Sequence, residues 1–245
     1  MIEVISIIFI ILCVVELVLC KGKLTKMVLF ISILTGICCL VFVGPYLRMK
    51  IKEDVKETRI TFDKPIIYLY PENETEISVK VTYENKLTHT YPKYTSNGWR
   101  VLAKPNGDLT DLYTGRYLYS LYYESKNIYK LDTETGFVVK GEDTIPFLED
   151  KLALLGLNER EAQEFIIYWL PKMENNKYNF VYFLTNEELD KEMPLEVIPE
   201  PDTSIRILMQ LKALDKPIDV KEQVITTPER KGFTLVEWGG TEYER

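Results

Sequence analysis

The chain has 245 residues, 46% of them hydrophobic and 27% charged, with 37 acidic against 30 basic side chains and a single histidine, His89. Three of the basic and two of the acidic groups precede Leu47, leaving 27 basic and 35 acidic beyond it. That remainder lacks the basic face of a nucleic-acid binder, and this partner class is excluded. All four cysteines (Cys13, Cys20, Cys38 and Cys39) lie in the first 47 residues, so the rest has no disulfide framework, Cys-ligated zinc or cysteine nucleophile. With one histidine besides, neither a metal nor a cofactor is expected.

In chain order, Ile2 to Cys20 is apolar apart from Glu3, Ser6 and Glu16, and Met27 to Leu47 carries no charge. At the helical rise the second run is roughly 30 Å long, a bilayer core's thickness, and the first is slightly shorter. The expectation is a transmembrane helical hairpin over residues 1–47, meeting the lipid bilayer through 2–20 and 27–47. The opening Met-Ile-Glu lacks the positive segment of a cleaved signal peptide. Lys21, Lys23 and Lys26 mark the hairpin turn, but Arg48, Lys50, Lys52, Lys56 and Arg59 follow the second span, and charge alone leaves the orientation open. Residues 48–63 read as a charged stalk.

The stretch "KPIIYLYPENET", Lys64 to Thr75, then opens a folded region. Ile66 to Tyr70 is a strand of high β-propensity with Pro65 and Pro71 setting where pairing starts and stops. Ile77, Val79, Val81 and Tyr83 alternate with polar residues, Leu87 to Tyr91 can return beside them, and Trp99 to Ala103 lies between two glycine turns, Asn97-Gly98 and Asn106-Gly107. Residues 64–139 are therefore an antiparallel β region. In an extended strand Tyr117, Tyr119, Leu121 and Tyr123 share a face; such a row suits sugar rings or a partner surface, against the alternative of ordinary β packing.

From residue 140 the period changes. Ile145, Leu148, Leu152 and Leu155 repeat at helical spacing up to Gly156, and Asn158 with Glu161 makes a variant capping box ahead of Phe165 and Trp169. Strands return at Asn179–Thr185, at Ile205–Leu211 and at Phe233–Trp238, where Gly239-Gly240 reads as the strand end. Residues 140–245 form an α+β region that can share one domain with 64–139. The expected fold class is α+β: an N-terminal two-helix transmembrane hairpin followed by a mainly antiparallel β ectodomain with a packed helix pair.

Four separated blocks, "KPIIYLYPENETEISVKV", "LTHTYPKYTSNGWRVLAKPNGDL", "GFVVKGEDTIPFLEDKLALLGLNEREAQEFIIYWLPKME" and "GFTLVEWGG", resemble a family of uncharacterised bacterial exported or membrane-anchored proteins whose soluble domain begins with a KPxIYLYP motif. The resemblance implies an extracytoplasmic domain. It implies no activity and no catalytic residues.

No catalytic signature emerges from the residues themselves, and whether the chain is an enzyme stays open. His89 sits in an alternating strand away from any nucleophile-elbow sequence. A glycosidase needs only two carboxylates roughly 5–10 Å apart, and Glu142, Asp143 and Glu237 are the candidates. Arg206 and Arg230 can clamp an anion or pair with the many acids. Candidate binding residues are Tyr117, Tyr119, Tyr123 and Trp238. Together these point to a two-pass cell-membrane protein whose extracytoplasmic domain binds a protein or glycan at the cell envelope. The alternatives are an envelope hydrolase using paired carboxylates and an accessory subunit of a membrane complex.

Overall fold

The alternation in the KPIIYLYP stretch has two buried sides. Ile66 and Tyr68 face one apolar layer and Ile67 and Leu69 face another, all of them inaccessible to solvent. A strand buried on both faces belongs in the middle layer of a three-layer domain.

The computed structural model describes residues 60–82, 86–127 and 131–243, together with Gly22, Met27, Phe30 and Ile33. The unit Arg59–Arg245 carries the fold described below. Its strands are β1 (Ile60–Tyr70), β2 (Thr75–Val81), β3 (Leu87–Tyr91), β4 (Trp99–Ala103), β5 (Leu109–Asp111), β6 (Tyr117–Leu118), β7 (Leu121–Asn127), β8 (Thr135–Lys140), β9 (Tyr178–Leu184), β10 (Leu195–Ile198), β11 (Thr203–Leu214), β12 (Lys221–Glu222) and β13 (Thr234–Tyr243). The α-helices are α1 (Thr144–Leu154), α2 (Glu159–Met173) and α3 (Asn186–Glu192).

Eight strands form the central sheet in the order β12-β8-β9-β11-β13-β1-β7-β3, and five form a second sheet in the order β10-β2-β4-β5-β6. Strands from both halves of the sequence share the central sheet: β1 lies between β13 and β7. Pairing is antiparallel except at β11 with β13 and at the short contact of β12 with β8. The second sheet packs on one face of the central sheet around Val79, Trp99, Val101, Leu121 and Leu235. The other face carries α1 and α2, which bury Leu148, Leu152, Phe165 and Trp169 against Ile207, Val236 and Trp238. The 3.6-residue spacing of those helical side chains puts them on one stripe, and burying that stripe is what holds each helix down.

α2 begins as its sequence prescribes. Asn158 Oδ1 accepts from the Glu161 backbone N–H at 3.0 Å, and Glu161 Oε2 accepts from the Asn158 N–H at 2.8 Å. Pro171 does not end this helix, which runs on to Met173.

Three expectations need correction. The architecture is dominated by β-sheet, with α-helices of 11, 15 and 7 residues, and no helix among the described residues is long and apolar enough to cross a membrane. The α+β class headed by a transmembrane hairpin is therefore not retained, nor is the two-pass cell-membrane placement with an extracytoplasmic domain. The segments 2–20 and 27–47 assigned to that hairpin lie outside the described residues, apart from Met27, Phe30 and Ile33. Second, Gly239 and Gly240 are not a strand end but the middle of β13. A Cβ on Gly239 would stand 2.9 Å from Pro65, and one on Gly240 would stand 2.5 Å from the Trp169 ring and 2.6 Å from the Met209 carbonyl oxygen. The pair lets the Trp169 ring of α2 pack directly on β13 and the β1 backbone at Pro65 approach it closely, which a run of apolar letters does not reveal. Third, the Tyr117–Tyr123 row is not one strand: β6 pairs with β5 in the second sheet and β7 with β1 in the central sheet, so the chain changes sheets at Tyr119-Ser120.

Filling the space at Gly240 should disrupt both layers at once. Gly240→Ala is expected to cost about 1–3 kcal/mol of stability through overpacking, measurable as a lowered midpoint in urea unfolding. Leu154→Ala, on an exposed position of α1, should leave the midpoint nearly unchanged.

Candidate functional site

Tyr68 and Tyr70, two residues apart on β1, project from the same face with rings stacked at 6.4 Å and nearly parallel. Glu161 and Glu164, three apart on α2, meet them one turn into the helix, because residues i and i+3 share a helical face. The Tyr68 hydroxyl donates to Glu164 Oε2 at 2.8 Å. Burial first, and then the neighbouring Glu164 carboxylate, hold the Tyr68 hydroxyl far above the usual phenol range; Tyr70 is raised by burial and then by Glu161.

Each glutamate also meets an arginine. Arg160 Nε lies 3.5 Å from Glu164, and Arg230 reaches Glu161 through both terminal nitrogens, with Nη1 at 3.3 Å from Oε1. The Arg230 Nη2 group further donates to the Gly156 carbonyl at 2.7 Å. Two Tyr–Glu–Arg chains thus run side by side from the sheet to the surface. Tyr70 also supports the β4–β5 turn: Gly107 has φ +85°, and a Cβ there would lie 2.6 Å from the Tyr70 ring.

The outer end of this junction carries exposed aromatic groups. Leu112, Tyr113, Tyr117 and Tyr119 are all open to solvent, Tyr117 by 66%. The turn presenting them is rigid by construction. The buried Asp111 carboxylate accepts from the backbone N–H groups of Tyr113 and Thr114 at 3.4 and 3.2 Å and from the Thr114 hydroxyl; the Gly115 N–H returns to the Asp111 carbonyl at 2.8 Å. Gly115, at φ +69°, supplies the left-handed residue that closes it. Tyr119 is held between the Arg160 guanidinium, 4.7 Å from its ring centre, and the Tyr68 ring at 6.5 Å. The Tyr117 hydroxyl hydrogen-bonds to Asp108.

The sequence candidates are scattered rather than assembled. Of the four binding candidates, Tyr117 and Tyr119 belong to this exposed face. Tyr123 and Trp238 are fully buried on opposite faces of the central sheet, the first towards the second sheet and the second under α2. Glu142 and Asp143 are exposed on the short 3-10 turn before α1, with Glu142 paired to Lys140 at 3.2 Å. Glu237 is wholly buried between the sheets. There it accepts from Arg206 Nε at 2.6 Å and from the Tyr123 hydroxyl. Arg206 stands beside it in parallel register and continues to Asp190 and the Met193 carbonyl, both at 2.7 Å. Glu142 and Asp143 are thus exposed ahead of α1 while Glu237 is enclosed with Arg206 and Tyr123, so the structure does not present them as a carboxylate pair. Both arginines pair with acids. His89 sits across from Glu124, with Nδ1 2.9 Å from the carboxylate, on an exposed edge strand. No group of three or more His, Cys, Asp or Glu side chains among the described residues is arranged to hold a metal ion.

Sequence reading missed the two Tyr–Glu–Arg chains. Their signal was present as the i, i+2 tyrosines of a strand and the i, i+3 acids of a capped helix, but nothing in the sequence says that these two elements face each other.

Two outcomes follow. Because Tyr68 and Tyr70 hold their protons more tightly folded than unfolded, their contribution is complete below about pH 10 and is lost as pH rises above it. Thermal stability should fall above pH 10, and Tyr68→Phe should flatten that fall while costing about 1 kcal/mol at neutral pH. Glu237→Ala, which removes the central partner of a buried arginine, should cost about 3–5 kcal/mol in chemical denaturation. No family model matches the chain, and no curated protein or solved structure matches it either, so the site stands on its own geometry.

Proposed function

We propose that the domain is a binding module that meets a partner protein through the tyrosine and arginine face formed by the Leu112–Tyr119 turn and the first turn of α2. The observation that carries this reading is the rigid presentation of exposed aromatic side chains. Large apolar groups held in water by a pre-ordered turn give contact area without the entropy cost of ordering a loop on binding. Tyrosine and arginine are also the residue types enriched at the energetic centres of protein interfaces.

A glycan is a weaker fit. Sugar stacking uses an open ring face, and Tyr119 has Arg160 over its ring and Tyr68 beside it. An envelope hydrolase with paired carboxylates is disfavoured by the burial of Glu237 and its pairing with Arg206 and Tyr123, while Glu142 and Asp143 stand exposed ahead of α1.

The test begins with a photo-crosslinking residue at position 117 in the full chain, expressed in its native host. A protein crosslinked there is then purified and titrated against the wild-type chain. The double variant Tyr113→Ala/Tyr117→Ala should weaken binding by about a hundredfold, as loss of two interface anchors does. Val224→Ala, at a fully solvated site in the segment between β12 and β13, should not. Equal affinity of the double variant and the wild type would overturn the proposal.

A further inference from the structure

The central sheet has eight strands and the sheet covering it has five. Part of the covered face therefore extends past its lid, on the side of β8, β9 and β11. Helix α3 fills some of that gap, tied down by Asn186, whose side chain accepts from the Arg206 N–H and donates to the Ser204 carbonyl, both at 2.7 Å. What α3 leaves open is a groove of about 420 Å³ lined by Asp132, Thr135, Tyr182, Leu184, Glu188, Lys191, Glu192 and Gln210. Its volume falls among those of small-molecule sites.

The floor is rigid and mixed in character. Tyr182 and Leu184 come from β9 and Gln210 from β11, neighbouring strands in the middle of the sheet. Gln210 is almost fully buried, with its amide nitrogen fixed on the Tyr243 hydroxyl at 2.7 Å. The Tyr182 hydroxyl donates to Glu188 Oε1 at 3.1 Å, and burial, followed by that carboxylate, pushes it up to about 12, so it keeps its proton throughout the physiological range.

The charges lean one way. Three carboxylates and one ammonium line the groove. The ammonium of Lys191 is matched by Glu187, at 3.2 Å and outside the lining. Glu188 is occupied by the Tyr182 hydroxyl and the Thr185 N–H. That leaves Asp132, on the segment leading into β8, whose Oδ1 accepts from the Glu134 N–H at 2.9 Å, and Glu192, at the end of α3; neither has a basic partner among the described residues. A negative rim over an aromatic and aliphatic floor is complementary to a cation with an apolar body, since the Tyr182 ring adds a face that favours positive charge.

We propose that this groove binds a small organic amine or guanidinium compound, with the charged head between Asp132 and Glu192 and the apolar body over Tyr182 and Leu184. The site is separate in its residues from the tyrosine face, and its fate is independent of that reading.

The test uses the full chain and three probes of one shape: phenethylamine, its neutral N-acetyl derivative and anionic phenylacetate, followed by protein-detected NMR. Phenethylamine should saturate shifts of the Tyr182, Leu184 and Gln210 amides, weakening as salt is raised, while the other two do not. Asp132→Asn/Glu192→Gln should raise its Kd at least about tenfold, and Leu154→Ala, on an exposed position of α1 outside the groove, should leave it unchanged. Absence of saturation by the amine, equal binding of all three probes, or indifference to the double variant would each overturn the proposal. Neither residue of the double variant is buried, so a folded spectrum is expected and loss of binding reads on the groove itself.

Discussion

Burial of one sheet on both of its faces is the constraint from which the rest of this domain follows. β1, β11 and β13 must each present apolar side chains in two directions, which leaves them unable to carry a polar side to solvent. Their neighbours supply the covers: two helices on one face, a five-stranded sheet and a short helix on the other. A charged side chain in that position is strongly penalised unless its own polar groups are met. Arg206 and Glu237 satisfy this by lying next to each other in the parallel pair and drawing Tyr123, Asp190 and a backbone carbonyl into the same network. The network spans β11, β13, β7 and α3, and so holds the short helix on the sheet as much as it satisfies two charges.

The same constraint explains the tyrosines of the KPIIYLYP stretch. A phenylalanine at position 68 or 70 would satisfy burial equally well. The hydroxyls add a hydrogen bond at the boundary where α2 begins, so the helix is fixed at its first turns while its apolar stripe fixes the remainder. The lysine of the stretch also has a place. Lys64 adopts φ +56° where β1 shifts register against both neighbours, and its ammonium lies over the rings of Tyr168 and Trp238. An irregular backbone within the strand thus turns a charged side chain over the aromatic surface of the helix layer.

Local patterns were legible in the sequence and non-local ones were not. The capping box at Asn158 and Glu161, the helical repeat from Leu148 to Leu152 and the alternation through Ile205 to Leu211 all depend on neighbours within a turn or a pleat, and each stands where its spacing puts it. Which strands pair is decided by burial summed over the whole chain. β13 therefore lies between β1 and β11 without any sign in its own letters, and the two glycines in its middle look like a terminus when the Trp169 ring above them is unknown. The tyrosines from 117 to 123 mislead for the same reason: alternation places them on one face only if the strand is continuous, and the bend at Tyr119 divides them between two sheets. Of the candidate site, Tyr117 and Tyr119 were found because they carry the signal themselves. Their partners Arg160, Glu164 and Tyr68 were not, since they arrive from elements distant in sequence.

The place of β13 between β1 and β11 also sets a timetable for biosynthesis. The ribosome produces the KPIIYLYP strand more than 160 residues before the strand that pairs along it. At ordinary elongation rates that is an interval of roughly 10–30 s. Through that interval one long edge of β1, with Ile67 and Leu69 on one side and Ile66 and Tyr68 on the other, has no strand to pair with. An apolar edge left open on this timescale is the substrate that chaperones recognise. Pairing along this edge of β1 therefore waits for β13, and a chain halted before residue 234 leaves the edge without that partner.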